Sequence, residues 1–251
     1  MRANALTHLP FFQVKIMTKE IDKIRIAEKA SHIEVYSTAK LFEKGSWLSK
    51  PVKTVIDILP LFEKYNSLTV LDLGCGVGRN CIPIAQKFSK IKCNIDCIDI
   101  LDFAIKKLNE NSKNFNTRNA INGIISSIDD FNIAKNHYDF ILSVSALEHV
   151  DSEITFENKI REIADGIKTN GVACLIINSE ITEIDKKTHE SLSPQFEVNL
   201  KTEKLLSILQ KHFNGWNVLK ETIVPQRYDI PRENCIADLT TNVVTFVARK
   251  G

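Results

Sequence analysis

Val70-Leu-Asp-Leu-Gly-Cys-Gly-Val-Gly-Arg-Asn80 is the stretch on which the fold turns. An apolar run closes at Leu73, glycines stand at 74, 76 and 78, and a helical pattern opens at Cys81. Glycine is required where a chain turns at positive φ, and where a ligand must lie against backbone with no side chain between. A loop that enters a helix also presents unpaired N–H groups. A tight βα turn needs glycine at one or two positions. Three alternating glycines behind Asp72 exceed that need and point to a nucleotide-type cofactor.

Working outward, apolar runs recur at Leu68–Leu73, Ile95–Ile100, Ala120–Ser126, Tyr138–Val144 and Val172–Asn178. Runs that are apolar on both faces suit buried parallel strands. Helical stripes lie between them: Cys81, Ile82, Ala85 and Phe88; Leu101, Ala104, Ile105 and Leu108; Phe156, Ile160, Ile163, Ala164 and Ile167. The last stripe is expected to stop at Asn170-Gly171. Alternating strands and helices imply a parallel sheet covered on both faces. After a helix around Glu203–Phe213, the runs Trp216–Val224 and Asn242–Arg249 follow with no helix between them, so the last strand should be antiparallel.

The N-terminal part reads differently. No strand pattern precedes residue 67. Ile21–Ala30 and Pro51–Leu59 read as helices, the second with proline in its first turn and Pro60 ending or kinking it. The expected organisation is an extension over 1–16, poorly ordered, a helical cap over 17–66, and an α/β domain over 67–251.

The glycine pattern also discriminates among cofactors. A dinucleotide loop reads GxGxxG. Counted from Gly74 its last position is Arg79, and from Gly76 it is Cys81; neither is glycine. No Gly-Lys-Ser/Thr run is present for a P-loop. Asp99 closes the run after the glycine loop, where a carboxylate can accept both hydroxyls of a ribose.

Asp72-Leu-Gly-Cys-Gly-Val-Gly78 with Asp99 resembles the class I S-adenosylmethionine (SAM) dependent methyltransferases over roughly residues 51–250. Gly76-Val-Gly-Arg-Asn80, Phe196-Glu-Val-Asn-Leu200 and Thr245-Phe-Val-Ala-Arg-Lys250 resemble its tellurite-resistance branch more narrowly. The resemblance implies a Rossmann-like, mostly parallel seven-stranded sheet with an antiparallel C-terminal strand, and SAM as cofactor with S-adenosylhomocysteine as product. It places Asp72, Gly74, Cys75, Gly76 and Gly78 at the methionine end, Asp99 on the ribose and Ile100 beside the adenine. The family's Asp-apolar pair after the third strand falls at Ser127-Ile128, a departure for which Asp129 is the fallback. Ser143 is expected near the methionine amino group.

Ser143-Val-Ser-Ala-Leu-Glu-His-Val150 resembles the Leu-Glu-His segment of small-molecule methyltransferases, not the Asn/Asp-Pro-Pro-Tyr of the amino-methylating DNA enzymes. His149 is the candidate catalytic or substrate-side group, with a packed histidine at a helix start as the bland alternative. Trp47, Tyr36 and Arg227, with Tyr228, are candidates for the substrate side; cap anchoring and surface exposure are the alternatives. The expected reaction is methyl transfer to a small acceptor by in-line displacement. The competing readings are a SAM-binding regulator or partner subunit without catalysis, and a nicotinamide-dependent oxidoreductase.

Composition sets the remaining bounds. The 251 residues are 43% hydrophobic and 25% charged with net charge +2, an ordinary globular balance. No dense basic run marks a nucleic-acid surface, no apolar run is long enough for a membrane span, and no signal peptide is recognisable. The six cysteines form no CxxC pair and lie mostly in apolar runs, which suits reduced core thiols in a cytoplasmic protein. The histidines show no metal-ligand spacing. The oligomeric state is not legible.

Overall fold

The computed structural model describes Arg25, residues 32–232 and residues 234–251. The expected extension over 1–16 and most of the helix Ile21–Ala30 lie outside the described residues. Strands β1 (Ser67–Leu73), β2 (Lys92–Asp99), β3 (Ile121–Ile125), β4 (Tyr138–Val144), β5 (Ile167–Asp185), β7 (Asn217–Pro231) and β8 (Ile236–Arg249) form one sheet. Their order is β3-β2-β1-β4-β5-β8-β7, and the two-residue β6 (Ser191–Leu192) pairs with β5 off that path. The first five strands are parallel, and β8 runs antiparallel between β5 and β7. The fold is a Rossmann-like α/β sheet with seven strands on its main path.

Side chains alternate across a strand, and both faces of the sheet are covered. Val70, Cys97, Phe140, Leu142 and Val247 enter a core shared with α1 (Lys53–Ile58), α2 (Cys81–Lys87) and α3 (Asp102–Asn114). Leu71, Ile98, Ile141, Leu175 and Phe246 enter a second core with α4 (Glu153–Gly166) and α5 (Thr202–His212). β4 is buried at every position but its last, as a run apolar on both faces requires. In α4, Ser152 accepts the Thr155 N–H at the N-cap (3.2 Å), and Phe156, Ile160 and Ile163 are fully buried. Each such side chain is worth roughly 1.5–3 kcal/mol of burial.

Three boundaries differ from the sequence reading. α4 stops at Gly166, not at Asn170-Gly171, because Ile167 is already extended and pairs with Tyr138. Asn170 takes a positive φ inside β5, and a side chain at Gly171 would strike the Asp139 carbonyl. The helix expected from Pro51 begins at Lys53, and at Pro60 the chain tightens into a 3₁₀ turn over Leu59–Phe62. β5, β7 and β8 run well beyond the parallel core, so Arg227 and Tyr228 lie within β7, not in a link between strands.

No strand precedes Ser67 among the described residues. Residues 32–38 form a helical segment, and the chain then crosses the carboxyl edge of the sheet. Leu48 is fully buried, and Phe42 packs edge-on against Phe115 at the end of α3 (5.2 Å between ring centres). The Val52 N–H donates to Asn80 Oδ1 (3.0 Å), and Arg79 Nε donates to the Lys50 carbonyl (2.6 Å). These contacts lay the N-terminal segment against the loop that enters α2.

Candidate active site

The carboxyl ends of β1, β2, β4 and β5 and the N-terminal segment enclose a cavity of about 760 Å³. Ligand crevices in open α/β sheets lie at this edge, and the volume is ordinary for a small-molecule site.

The glycine loop forms one wall. Gly74, Gly76 and Gly78 all have positive φ, at 74°, 53° and 99°. Gly74 and Gly76 line the cavity, but each glycine serves a different need. A Cβ on Gly74 would collide with Ala146 of the loop after β4. A Cβ on Gly78 would meet Leu108 and Ile82 at 2.7 and 2.8 Å, so Gly78 lets the loop sit against α3 and lies outside the cavity lining. A Cβ on Gly76 would come within 2.7 Å of the Tyr36 hydroxyl, which places Tyr36 over the bare turn.

The loop amides do not all face outward as a helix-entry loop suggests. The N–H groups of Gly74 and Cys75 both donate to the Ile98 carbonyl (2.9 Å each). The Gly76 N–H donates to Asp99 Oδ2 (2.8 Å), and the Leu101 N–H donates to Asp99 Oδ1 (2.9 Å). Asn111 Nδ2 holds the Val77 carbonyl from α3 (2.9 Å). The turn is thus braced from behind by β2 and α3, and its backbone face lines the cavity.

Asp72 lies beneath the loop, outside the lining, and is 1% exposed. Its Oδ2 has no hydrogen-bond partner among the described residues. Burial, together with repulsion from Asp99, raises its pKa to about 7. The thiols around it are inert: burial pushes Cys75 and Cys174 up to about 12. All six cysteines are unpaired, five of them buried.

Of the remaining residues singled out from sequence, Asp99, Ile100, Ser127, Ile128, Cys75, His149, Trp47 and Tyr36 line the cavity. Ser143 does not: it is fully buried and its hydroxyl donates to the Leu73 carbonyl (3.2 Å), so Val144, Ser145 and Ala146 reach the cavity in its place. Arg227 does not either. It pairs with Asp238 on the neighbouring strand, Nε donating to Oδ1 at 2.6 Å, while Tyr228, on the opposite face, lines the cavity. Ser127 Oγ accepts the Asp130 N–H (3.0 Å) and closes a local turn.

Residues far apart in sequence complete the opposite wall. Arg25 Nη2 donates to Asp129 Oδ2 (2.8 Å) and its Nε to Glu197 Oε1 (3.3 Å). Glu197 Oε2 meets His149 Nδ1 (2.9 Å), and Phe196 stacks on the same imidazole (5.0 Å, 25°). Glu148 is buried, and its Oε1 accepts from the Asn178 N–H at 3.3 Å and from the Asn178 side chain; desolvation raises its pKa. Asn178, at the end of a recognised strand, could have been found by the strand-end rule. Arg25 carries no local signal, and Glu197 falls in the Phe196–Leu200 segment, where nothing local marks its role. Among the described residues no group of three or more His, Cys, Asp or Glu could hold a metal ion, and no helix is long and apolar enough to cross a membrane.

A family profile described as a methyltransferase domain matches residues 70–171, the span from β1 through β4 and α4 into β5. The chain thus carries a methyltransferase domain over these residues, on a fold like that of SAM-dependent methyltransferases. It is an enzyme whose cofactor is SAM and whose product is S-adenosylhomocysteine. Among solved structures it is similar to TehB from Haemophilus influenzae, at 20% identity and a TM-score of 0.59 over 80% of this chain. This chain spans 62% of the length of that TehB chain. It is similar to YcgJ from Bacillus subtilis, at 11% identity and 0.56, covering 78% of this chain and 97% of that one. A SAM-dependent methyltransferase from Methanosarcina mazei matches at 13% identity and 0.55, covering 80% and 98%. At these identities the likeness is one of fold. A search of the curated proteins gave no match.

The residues present fit the cofactor. Gly76 offers a backbone surface that a Cβ would spoil. The Asp99 carboxylate lines the cavity at the end of β2, held by the Gly76 and Leu101 N–H groups, where a ribose is expected. Asp72 leaves a buried carboxylate oxygen beneath the loop with no hydrogen-bond partner among the described residues.

Two outcomes follow. Asp72 has a folded-state pKa raised above its ordinary 3.8, so its contribution to stability is fully present below pH 4 and is lost as pH rises through 7. Asp72→Asn should therefore raise the melting temperature of the ligand-free protein at pH 8 by roughly 5 °C or more and change little at pH 4; a melting curve at each pH checks this. Gly76→Val should cost only about 1–2 kcal/mol of folding stability, yet weaken S-adenosylhomocysteine more than about 100-fold in calorimetry.

Proposed function

We propose that this methyltransferase acts on a small-molecule acceptor, by in-line displacement, within the cavity between the glycine loop and the His149–Glu197 wall. The observation that carries the reading is the roof. Tyr36 and Trp47 lie over the loop with His32 as a ring cluster, their centres 5.4–6.3 Å apart, and Arg79 stacks on Trp47 at 5.4 Å. A roof over the cavity suits an acceptor that enters whole, and suits a polymer poorly.

When bound, SAM supplies a methyl group already activated on a sulfonium. The chain's work is then to bind, orient and exclude water. With SAM bound, Asp99 would receive the ribose hydroxyls, Ile100, Ser127 and Ile128 would lie on the adenine side, and Gly74–Gly76 would carry the methionine end. Val144, Ser145 and Ala146 take the place expected for Ser143. Tyr36, resting on Gly76, would cover the cofactor rather than the acceptor. Trp47, Tyr228, Asn178 and His149 face the acceptor. The unpaired cysteines suit a cytoplasmic setting.

The test is transfer of labelled methyl from SAM to a panel of small thiols, phenols, quinols and reduced selenium or tellurium anions, beside protein and nucleic-acid acceptors. Turnover on at least one small acceptor, lowered about tenfold or more by Trp47→Ala, is expected. Label incorporated only into protein or nucleic acid would overturn the reading.

A further inference from the structure

Two arginines line the cavity, and their surroundings differ. Arg25 is neutralised: its Nη2 donates to Asp129 Oδ2 (2.8 Å) and its Nε to Glu197 Oε1 (3.3 Å). Burial lowers the Arg25 pKa, and the two carboxylates more than reverse that. Arg79, one residue past the glycine turn, pairs with no carboxylate among the described residues. Its Nε donates to the Lys50 carbonyl (2.6 Å), and its guanidinium lies over the Trp47 ring, 5.4 Å from the centre. Burial lowers its pKa, and no neighbouring charge raises it.

A half-buried guanidinium without an anion is costly, and an anion that met it would remove the cost. The group is also held ready. The Lys50 carbonyl fixes the Nε end, and the Trp47 ring fixes the plane. No described residue accepts from the Nη1 and Nη2 groups, and that edge is a rigid fork that matches the two oxygens of a carboxylate. Its place decides whose carboxylate. Arg79 shares the roof with Trp47, on the side given above to the acceptor, whereas Tyr36 over Gly76 marks the side of the cofactor.

We propose that Arg79 is an acceptor-binding residue whose Nη edge receives a carboxylate on the methyl acceptor. Resting on the small-acceptor reading above, this narrows the substrate class to small carboxylic acids. A carboxylate whose lone pairs are spent on a guanidinium is a poor nucleophile, so the methyl goes to another atom of the same molecule. The guanidinium then serves as a handle that orients that atom, which is where most of the rate is to be gained.

The experiment is calorimetry on protein saturated with S-adenosylhomocysteine, at physiological ionic strength, with acetate, benzoate and indole-3-acetate as probes, each beside its neutral amide. Wild type should bind at least one carboxylate about tenfold or more tighter than its amide. Arg79→Met, which keeps an apolar stem against Trp47 and removes the charge, should abolish that preference while affinity for S-adenosylhomocysteine stays within about threefold. Wild type that prefers no carboxylate to its amide overturns the proposal, and needs no variant to fold. So does a methionine variant whose preference is unchanged, which would leave Arg79 as a tie between loop and roof. A methionine variant that loses S-adenosylhomocysteine by more than about tenfold overturns it too, since the guanidinium would then serve the cofactor's own carboxylate. Wild type that gives no heat with S-adenosylhomocysteine would instead strike at the cofactor site, and the same titrations of ligand-free protein would still decide the role of Arg79. Carboxylate binding through Arg79 with no methyl transfer to any small acceptor would strike at the small-acceptor reading and leave this anion site standing.

Discussion

One carboxylate holds the site in shape. Asp99, at the end of β2, accepts the N–H of Gly76 with one oxygen and that of Leu101 with the other. The glycine turn after β1 is thereby fastened to the neighbouring strand, and its bare face is turned to the cavity. A side chain at any of the three glycines would undo this differently: by collision with Ala146, by collision with Tyr36, or by forcing the turn off α3. The composition of the loop is set as much by what surrounds it as by what it is to bind.

The sheet makes such a joint possible. Parallel strands bring their carboxyl ends to a common edge, and two hydrophobic cores fix that edge from both sides. Onto this frame the chain hangs two later structures. The N-terminal segment roofs the glycine loop, and the strands β5, β7 and β8 extend past the core to supply Asn178, Tyr228 and Val243. Charged pairs lace this extension together, among them Glu183 with Arg232 and Asp238 with Arg227. Asp72 stands out beneath this frame as a buried carboxylate with one oxygen lacking a hydrogen-bond partner among the described residues.

Much of this was legible in the sequence, and the reason is physical. Strands buried on both faces leave unbroken apolar runs, so β1 and β4 were readable nearly to the residue. The glycines and Asp99 were readable because backbone conformation and strand-end position restrict what can stand there. Ser143 was misplaced because the pleat, not the position along the strand, decides which of two adjacent residues faces the ligand. Arg227 was misplaced because the hairpin is longer than its apolar content suggests, and β7 is an exposed edge with little periodicity. The pairing of Glu197 with Arg25 was beyond reach. Their meeting joins segments 172 residues apart, and nothing local to either announces it.

The central claim is that an adenosyl ligand rests on the backbone of the Gly74–Gly78 turn and on Asp99. An amide NMR titration with S-adenosylhomocysteine tests it most directly. Saturating one-to-one shifts concentrated at residues 74–78 and 99–101 are predicted. Shifts confined to other strand ends, or none at ligand saturation, would contradict the account.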